Sequence, residues 1–577
     1  MTFLQKFKIF LLVILVGFLQ STDATHLQGG EIIARQMPNA PLTFEITVIS
    51  YTDSESTIEF GSAGVLRFGD DKVQNGPFTT MKISFGSTNK VSFTTTHTFL
   101  SPSAAGYLIS YQEDFRNSGI VNINDGNSVQ TSFYVETLVV IDPFLGPNST
   151  PYFTAVPERH AVSGQIYQHN PGAFDPDGDL LTYRFVEVKR AQQTVVGAYR
   201  SLIDPFFYTD YSQGNQARDG EPTLTIDRFT GEIVWDAPGD ATNQEDPPYC
   251  SAKAEYAVAI AVDEWRKVGS TWRKMGFVTR DYQIIVCRGG NVISFPDLPM
   301  DTCITAGNKL SKAVSISESE YGPIYLYGSG IPFELGATID KAGETLEINW
   351  ETSCEHPKQT PYQIQILPSK NSNPSFTGYH TWNINILGPE VTGLSIQDEQ
   401  DGSVNLSWDP YTCPNADSME IWRKEGLYEG NVCDLVDPEG QEFVLAGKVT
   451  ASQQSFTDTD LPSGTASGDF TWHLKATFSN DQNDLNDLIS VLTSVKPIGA
   501  TKVSVFPNPT KGTVFIQGDH SLRYFRIVDI SGKMMIEGDL KSSTIDNLDT
   551  LDDGIYFISL LDSKQKQIHG TRLLIQK

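Results

Sequence analysis

Beyond its first two dozen residues, the 577-residue sequence lacks any long apolar run. A membrane-spanning helix needs ~20 consecutive apolar residues, so no transmembrane segment is expected in the mature chain. Basic residues are scarce: 42 Lys+Arg stand against 70 Asp+Glu, a formal net charge of -28. Phosphate binding depends on Lys and Arg, so nucleic acid is not an expected partner, nor is an anionic lipid surface. Such acidity suits divalent cations and solubility outside the cell. There is no G-x-S-x-G, H-E-x-x-H, phosphate-binding Gly loop or cysteine-protease signature, and the nine histidines are scattered. Without C-x-x-C or paired histidines, the six cysteines do not read as a zinc site. No catalytic residue can therefore be named, although a carboxylate pair could hide among the acids.

What is present is β-strand patterning. At ~100–200 residues per domain the length suggests four or five domains, and 11% aromatic residues supply cores. Residues 1–24 read as a signal peptide: Lys6 and Lys8 form the positive region, Ile9 to Leu19 the apolar run, and Thr22 and Ala24 the small residues of a cleavage site. Residues 25–141 form a first β-domain, with Leu42, Phe44, Ile46 and Val48 alternating with polar residues. Tyr107, Ile109 and Tyr111 repeat the pattern, and no long helical period appears. Residues 142–288 form a second, in which Tyr256, Val258, Ile260 and Val262 alternate with small residues. Residues 300–387 hold three clean period-two runs around Trp350, Ile364 and Trp382, a further sandwich. Residues 388–497 are another, built on Val404, Leu406, Trp408, Ile421 and Trp472. The fold class is therefore all-β, a tandem of β-sandwiches that resemble immunoglobulin-like and fibronectin III-like domains.

The candidate chemistry lies at Asp175-Pro176-Asp177-Gly178-Asp179. Carboxylates at alternate positions of a turn can converge on one hard cation, and Ca²⁺ takes six to eight oxygens. Further oxygens are sought from Asp263 or Glu264 on the adjacent strand; Asp175, Asp177, Asp179 and Asp263 make up the candidate set. An acidic β-turn chosen for its geometry is the plainer reading. Cys250, Cys287, Cys303, Cys354, Cys413 and Cys433 are even in number, which in an exported chain favours disulfides. The domain limits suggest sequential pairs 250–287, 303–354 and 413–433.

The residues 503–577 resemble a known family. Pro507-Asn508-Pro509 with Gly512 opens the stretch, Asp529 with Gly532 and Lys533 marks its middle, and Gly554-Ile555-Tyr556-Phe557 closes it. This order resembles the type A C-terminal sorting domain of the type IX secretion system of Bacteroidota. The resemblance implies export across the outer membrane and the secretion machinery as partner. Thr25-His26-Leu27-Gln28-Gly29-Gly30-Glu31-Ile32, Asp114 to Ile120 and Tyr134-Val135-Glu136-Thr137 resemble large gliding-motility-associated surface proteins of the same bacteria. Residues 142–288 resemble cadherin-like modules, and 388–497 a fibronectin type III domain. The expectation is a secreted or cell-surface, non-catalytic binding or adhesion protein whose ligand is a polysaccharide, a cell or a solid surface. The alternative is a secreted hydrolase, or a binding component of a polysaccharide- or protein-degrading system, with its site in the first domain.

Overall fold

The computed structural model describes residues 27–478 and 504–576, apart from 240–252, 293–300, 316–324 and shorter stretches of up to six residues. The expected signal peptide, and the interdomain stretch 296–299, lie outside the described residues. The chain divides into two compact units, split between Asp481 and Gln482. All described regular structure is β-strand or short 3-10 turn, so the chain is all-β. No helix among the described residues is long and apolar enough to cross a membrane.

In the first unit, β1 (Leu27–Met37), β2 (Ala40–Asp53), β3 (Thr88–Thr98), β4 (Ser103–Glu113) and β5 (Phe133–Ile141) enclose a core that includes Ile32, Phe44, Val48, Tyr111 and Val135. β6 (Leu180–Val186), β7 (Lys253–Val268) and β8 (Thr271–Cys287) build a second core around Trp235, Tyr256, Ile260 and Tyr282. The expected boundary at 141/142 marks this change of core, but it does not interrupt the sheet. β8 has 17 residues, far beyond the usual ~5–6. One of its edges pairs with β7 along its length. The other takes β5 at 276–278, β1 at 280–282 and a parallel strand His160–Val162 at 285–287. Both branches of the first sandwich, β1–β2–β3 and β5–β4, therefore leave from one strand of the second.

The sequence motifs explain how they are fastened. A Cβ on Gly29 would stand 2.8 Å from the Asp281 carbonyl, so β1 reaches β8 only because this residue has no side chain. Gly30 is similarly pressed against Ile49 O and the Phe133 ring. Glu31 then meets Arg280, both with no exposed surface. Arg280 Nε and Nη2 donate to the carboxylate, the latter at 2.9 Å, while Nη1 donates to Ala155 O at 2.7 Å. Arg116 makes a second buried clamp, Nη1 and Nη2 donating to Asp281 at 2.8 and 2.6 Å. Buried ion pairs hold register through geometry while their net worth against an apolar pair is small.

Residues 300–387 pack a four-stranded sheet on a three-stranded one. The first has the order Asp301–Thr305, His380–Leu387, Tyr362–Ser369, Tyr325–Ser329; the second has Lys309–Ser315, Thr345–Glu351, Thr338–Ala342. The alternating runs read in the sequence supply its core, with Trp350 and Trp382 each 1% exposed. The next sandwich sets Ser395–Asp398, Val404–Ser407 and Ser455–Asp458 against Val444–Thr450, Ala416–Glu425 and Phe470–Phe478. Trp408 and Trp472 lie in its core.

The disulfides correct the sequential pairing. Cys303 bonds Cys433 and Cys354 bonds Cys413, so both bridges join the third sandwich to the fourth. Asn415 Nδ2 adds a hydrogen bond to Cys354 O at 2.7 Å across the same joint. Domain limits misled the pairing because each cysteine bonds across the joint, with Cα–Cα distances of 5.6 and 5.4 Å, rather than within its own sandwich. Cys250 lies outside the described residues, and with it the 250–287 pair.

The second unit is a smaller β-module. Ser504–Phe506, Val514–Gln517 and Thr544–Ile545 form one sheet; Met534–Asp539, Leu522–Asp529, Gly554–Asp562 and Gln567–Ile575 form the other. Val514, Ile527, Ile558 and Leu573 fill its core.

Candidate metal centre

Strand parity decides which carboxylates meet. Asp175 follows the short strand Ala173–Phe174 and caps its own turn: Oδ1 accepts from Asp177 N and Asp179 N, both at 2.9 Å. Gly178 supplies the left-handed φ of +82° that the turn needs. On β7, successive side chains point to opposite faces. Glu264 faces the turn; Asp263 faces away. Asp175, Asp179 and Glu264 each bring a carboxylate oxygen within 4.8 Å of the others.

Two members of the expected set stand elsewhere. Asp263 accepts from Arg184 Nε at 2.7 Å and from Lys274 Nζ at 2.6 Å. Burial opposes its ionisation, but these two cations outweigh burial and hold its carboxyl below the usual range. Asp177 is exposed and turns its carboxylate to Ser149 N at 2.6 Å, fixing the chain that leaves β5. Glu264 takes the place expected for Asp263. The signal available in the sequence was the alternation itself, since Val262 and Ile260 already mark the inward face.

The electrostatics of the cluster are unusual. Asp175 is 6% exposed and Glu264 fully buried. Asp175 Oδ2 and both Glu264 oxygens accept no hydrogen bond. Among the described residues the cluster engages the cation Arg266, which gives Nε and Nη2 to Asp179 at 2.7 and 2.5 Å. Its remaining N–H groups reach Leu145 O, Pro147 O and Asn148 Oδ1. Burial first, and then the charges of Asp179 and Asp177, push Asp175 up to about 7 against opposing backbone N–H bonds. Burial, then Asp175 and Asp179, push Glu264 well above the carboxylate range. Buried like charges this close need either a shared proton or a cation. With the proton, Glu264 can donate to Asp179. With a hard divalent ion, the three oxygens that accept no hydrogen bond would serve as ligands.

The sorting-motif residues lie in the second unit. Pro507, Asn508, Pro509 and Gly532 are outside the described residues. Asp529 ends Leu522–Asp529, which pairs antiparallel with Met534–Asp539, so the expected hairpin is present on both sides of the undescribed turn. Lys533 is exposed at its far side. Gly512 accepts through its carbonyl from Leu548 N at 2.8 Å. Gly554 opens the strand that places Tyr556 in the core at 7% exposure.

These residues agree with the family comparison. Residues 504–576 match the secretion system C-terminal sorting domain. That domain is the export address of the type IX system, so the chain is a cargo of that machinery, directed to the outer membrane, the cell surface or the medium. No curated protein matches the chain. Among solved structures, it is similar to domains A168–A170 of titin at 9% identity and a TM-score of 0.17, covering 57% of this chain and 93% of that one. Sidekick-1 immunoglobulin domains 1–5 share 9% identity at a TM-score of 0.15, with 95% and 98% covered. Drosophila OTK extracellular domains 3–5 share 11% at 0.16, with 57% and 97% covered. At such scores the fold class rests on this chain's own strands.

Proposed function

We propose that this chain is an exported, non-catalytic binding or adhesion protein, displayed on the cell surface or released. The observation that supports this most is the order of parts: tandem β-sandwiches followed by a sorting domain at residues 504–576. In this reading the first sandwich and the second act as one binding head, because both branches of the first leave from β8. The third and fourth sandwiches, joined by two disulfides, act as a stiff spacer. The likenesses to gliding-associated, cadherin-like and fibronectin III-like modules support such an architecture. The hydrolase alternative needs an acid and a base free to act. Two of the carboxylates beside the first domain's motifs are instead committed: Glu136 accepts from Lys189 and Tyr134, and Asp281 from Arg116.

The same reading includes Ca²⁺ held by Asp175, Asp179 and Glu264, where it fastens the turn to β7. Saturating Ca²⁺ at ~100-fold its Kd is expected to add about 2.7 kcal/mol of stability. Glu264→Gln should lose that response, and calorimetry with and without chelator measures it. A melting temperature indifferent to Ca²⁺ in the native chain sinks the metal proposal.

A deletion strain tests the function. It should lose attachment to polysaccharide-coated surfaces while its culture fluid releases sugars from the same polysaccharide at the parental rate. Unchanged attachment together with lost hydrolysis would transfer the protein to the enzyme class.

A further inference from the structure

β7 has two unlike faces. Tyr256, Val258, Ile260 and Val262 fill the second core, whereas Ala257, Ala259 and Ala261 form the other face. Methyl groups leave a trough where larger side chains would fill it. Ile120, Ile123, Val188 and Val196 pack in one cluster with Ala257 and Ala259. Beside this cluster is a cavity of about 430 Å³ whose lining includes Ala259. That volume lies at the lower end of the ~300–1,000 Å³ of small-molecule sites.

The walls come from four elements. β5 gives Tyr134 and Glu136; β8 gives Phe277, Thr279 and Asp281; β6 gives Arg184; and Lys189 closes the rim. Glu187 is exposed in the same lining, and the other charges are matched. Lys189 Nζ stands 2.5 Å from Glu136 Oε1, Arg116 holds Asp281, and Arg184 gives Nε and Nη2 to Asp263. An anionic ligand would meet the Glu187 carboxylate, and the cations of the lining are already paired. Matched pairs are still incompletely hydrogen-bonded, since an ammonium has three donors and a carboxylate about four acceptor positions. A group that donates and accepts at once can bridge such a pair, and a hydroxyl does both. Phe277 is half-buried at the cavity wall, with Lys274 Nζ 5.3 Å from its ring centroid on one side.

We propose that this cavity binds a neutral, hydroxyl-rich sugar, one or two rings at the end of a glycan, with its ring face on Phe277 and its hydroxyls bridging the Glu136–Lys189 pair, Thr279 and Asp281. The resembling motif Tyr134 to Thr137 thereby gains a role its packing alone does not require. The proposal deepens the binding reading above, but its test uses purified chain, so a failure of export leaves it standing and its own failure leaves export untouched.

The test is saturation-transfer NMR and calorimetric titration of the full exported chain. The probes are cellobiose, laminaribiose, mannobiose and xylobiose, with digalacturonate as the charged comparison. At least one neutral disaccharide is expected to bind, and Ala259→Leu, which fills the trough, to weaken it by about tenfold or more. Phe277→Ala, at a half-buried position, should do the same and keeps the test usable if Ala259→Leu does not fold. Binding by none of the neutral probes overturns the proposal. So does binding unchanged in a folded variant, and so does a preference for digalacturonate.

Discussion

Glu31→Gln is expected to destabilise the joined first and second sandwiches by about 3–5 kcal/mol, because it leaves Arg280 charged and buried without its partner. Neither side chain has any exposed surface, so water cannot replace the lost carboxylate. Tyr51 and Ala155 remain as acceptors for Arg280 but carry no charge. Removing both charges tests the cause rather than the packing. Glu31→Gln with Arg280→Met should be less damaging than Glu31→Gln alone, since no buried ion is stranded. Urea unfolding of the purified chain measures both. A single-variant loss under about 1 kcal/mol contradicts a fully buried pair.

Reducing the two bridges between the third and fourth sandwiches is the second large effect. Their sequence separations of 130 and 59 residues correspond to about 4–5 kcal/mol each in loop entropy. The 354–413 loop is nested within 303–433, so the sum is not additive and the pair should contribute less than twice either one. The expected result is a marked fall in the melting temperature of this part of the chain under reductant, with the other sandwiches less affected. Non-reducing peptide mapping tests the connectivity itself. It should yield the linked pairs 303–433 and 354–413. Linked pairs 303–354 and 413–433 would mean that each sandwich is stapled internally and that the joint is not fastened by sulfur.

Local pattern was legible in the sequence wherever the determining contacts are local. Ile364, Ile366, Trp382 and Ile384 alternate because one face of each strand is buried, and they do form the third core. Val514, Ile527 and Ile558 behave the same way in the sorting module. What escaped were relations between distant residues. Gly29-Gly30-Glu31 was visible as a motif, but its role depends on Arg280, 249 residues away. The continuity of sheet across 141/142 depends on β8 running past the end of its own sandwich, and its unusual length was the available hint. In the metal candidate, the turn residues Asp175 and Asp179 were legible from their spacing. Between Asp263 and Glu264 the choice turned on a single step of strand parity, which the alternation from Tyr256 to Val262 encodes. The disulfide pairing was not legible, because six cysteines allow fifteen pairings and the selecting geometry is that of a joint between domains.

Export through the C-terminal module is the claim on which the binding reading depends. Its most direct test is fractionation of native cells into periplasm, surface and medium, with the intact mass of the chain recorded in each. The account predicts a chain on the surface or in the medium that starts near Thr25 and lacks about residues 503–577. A full-length chain confined to the periplasm would contradict it.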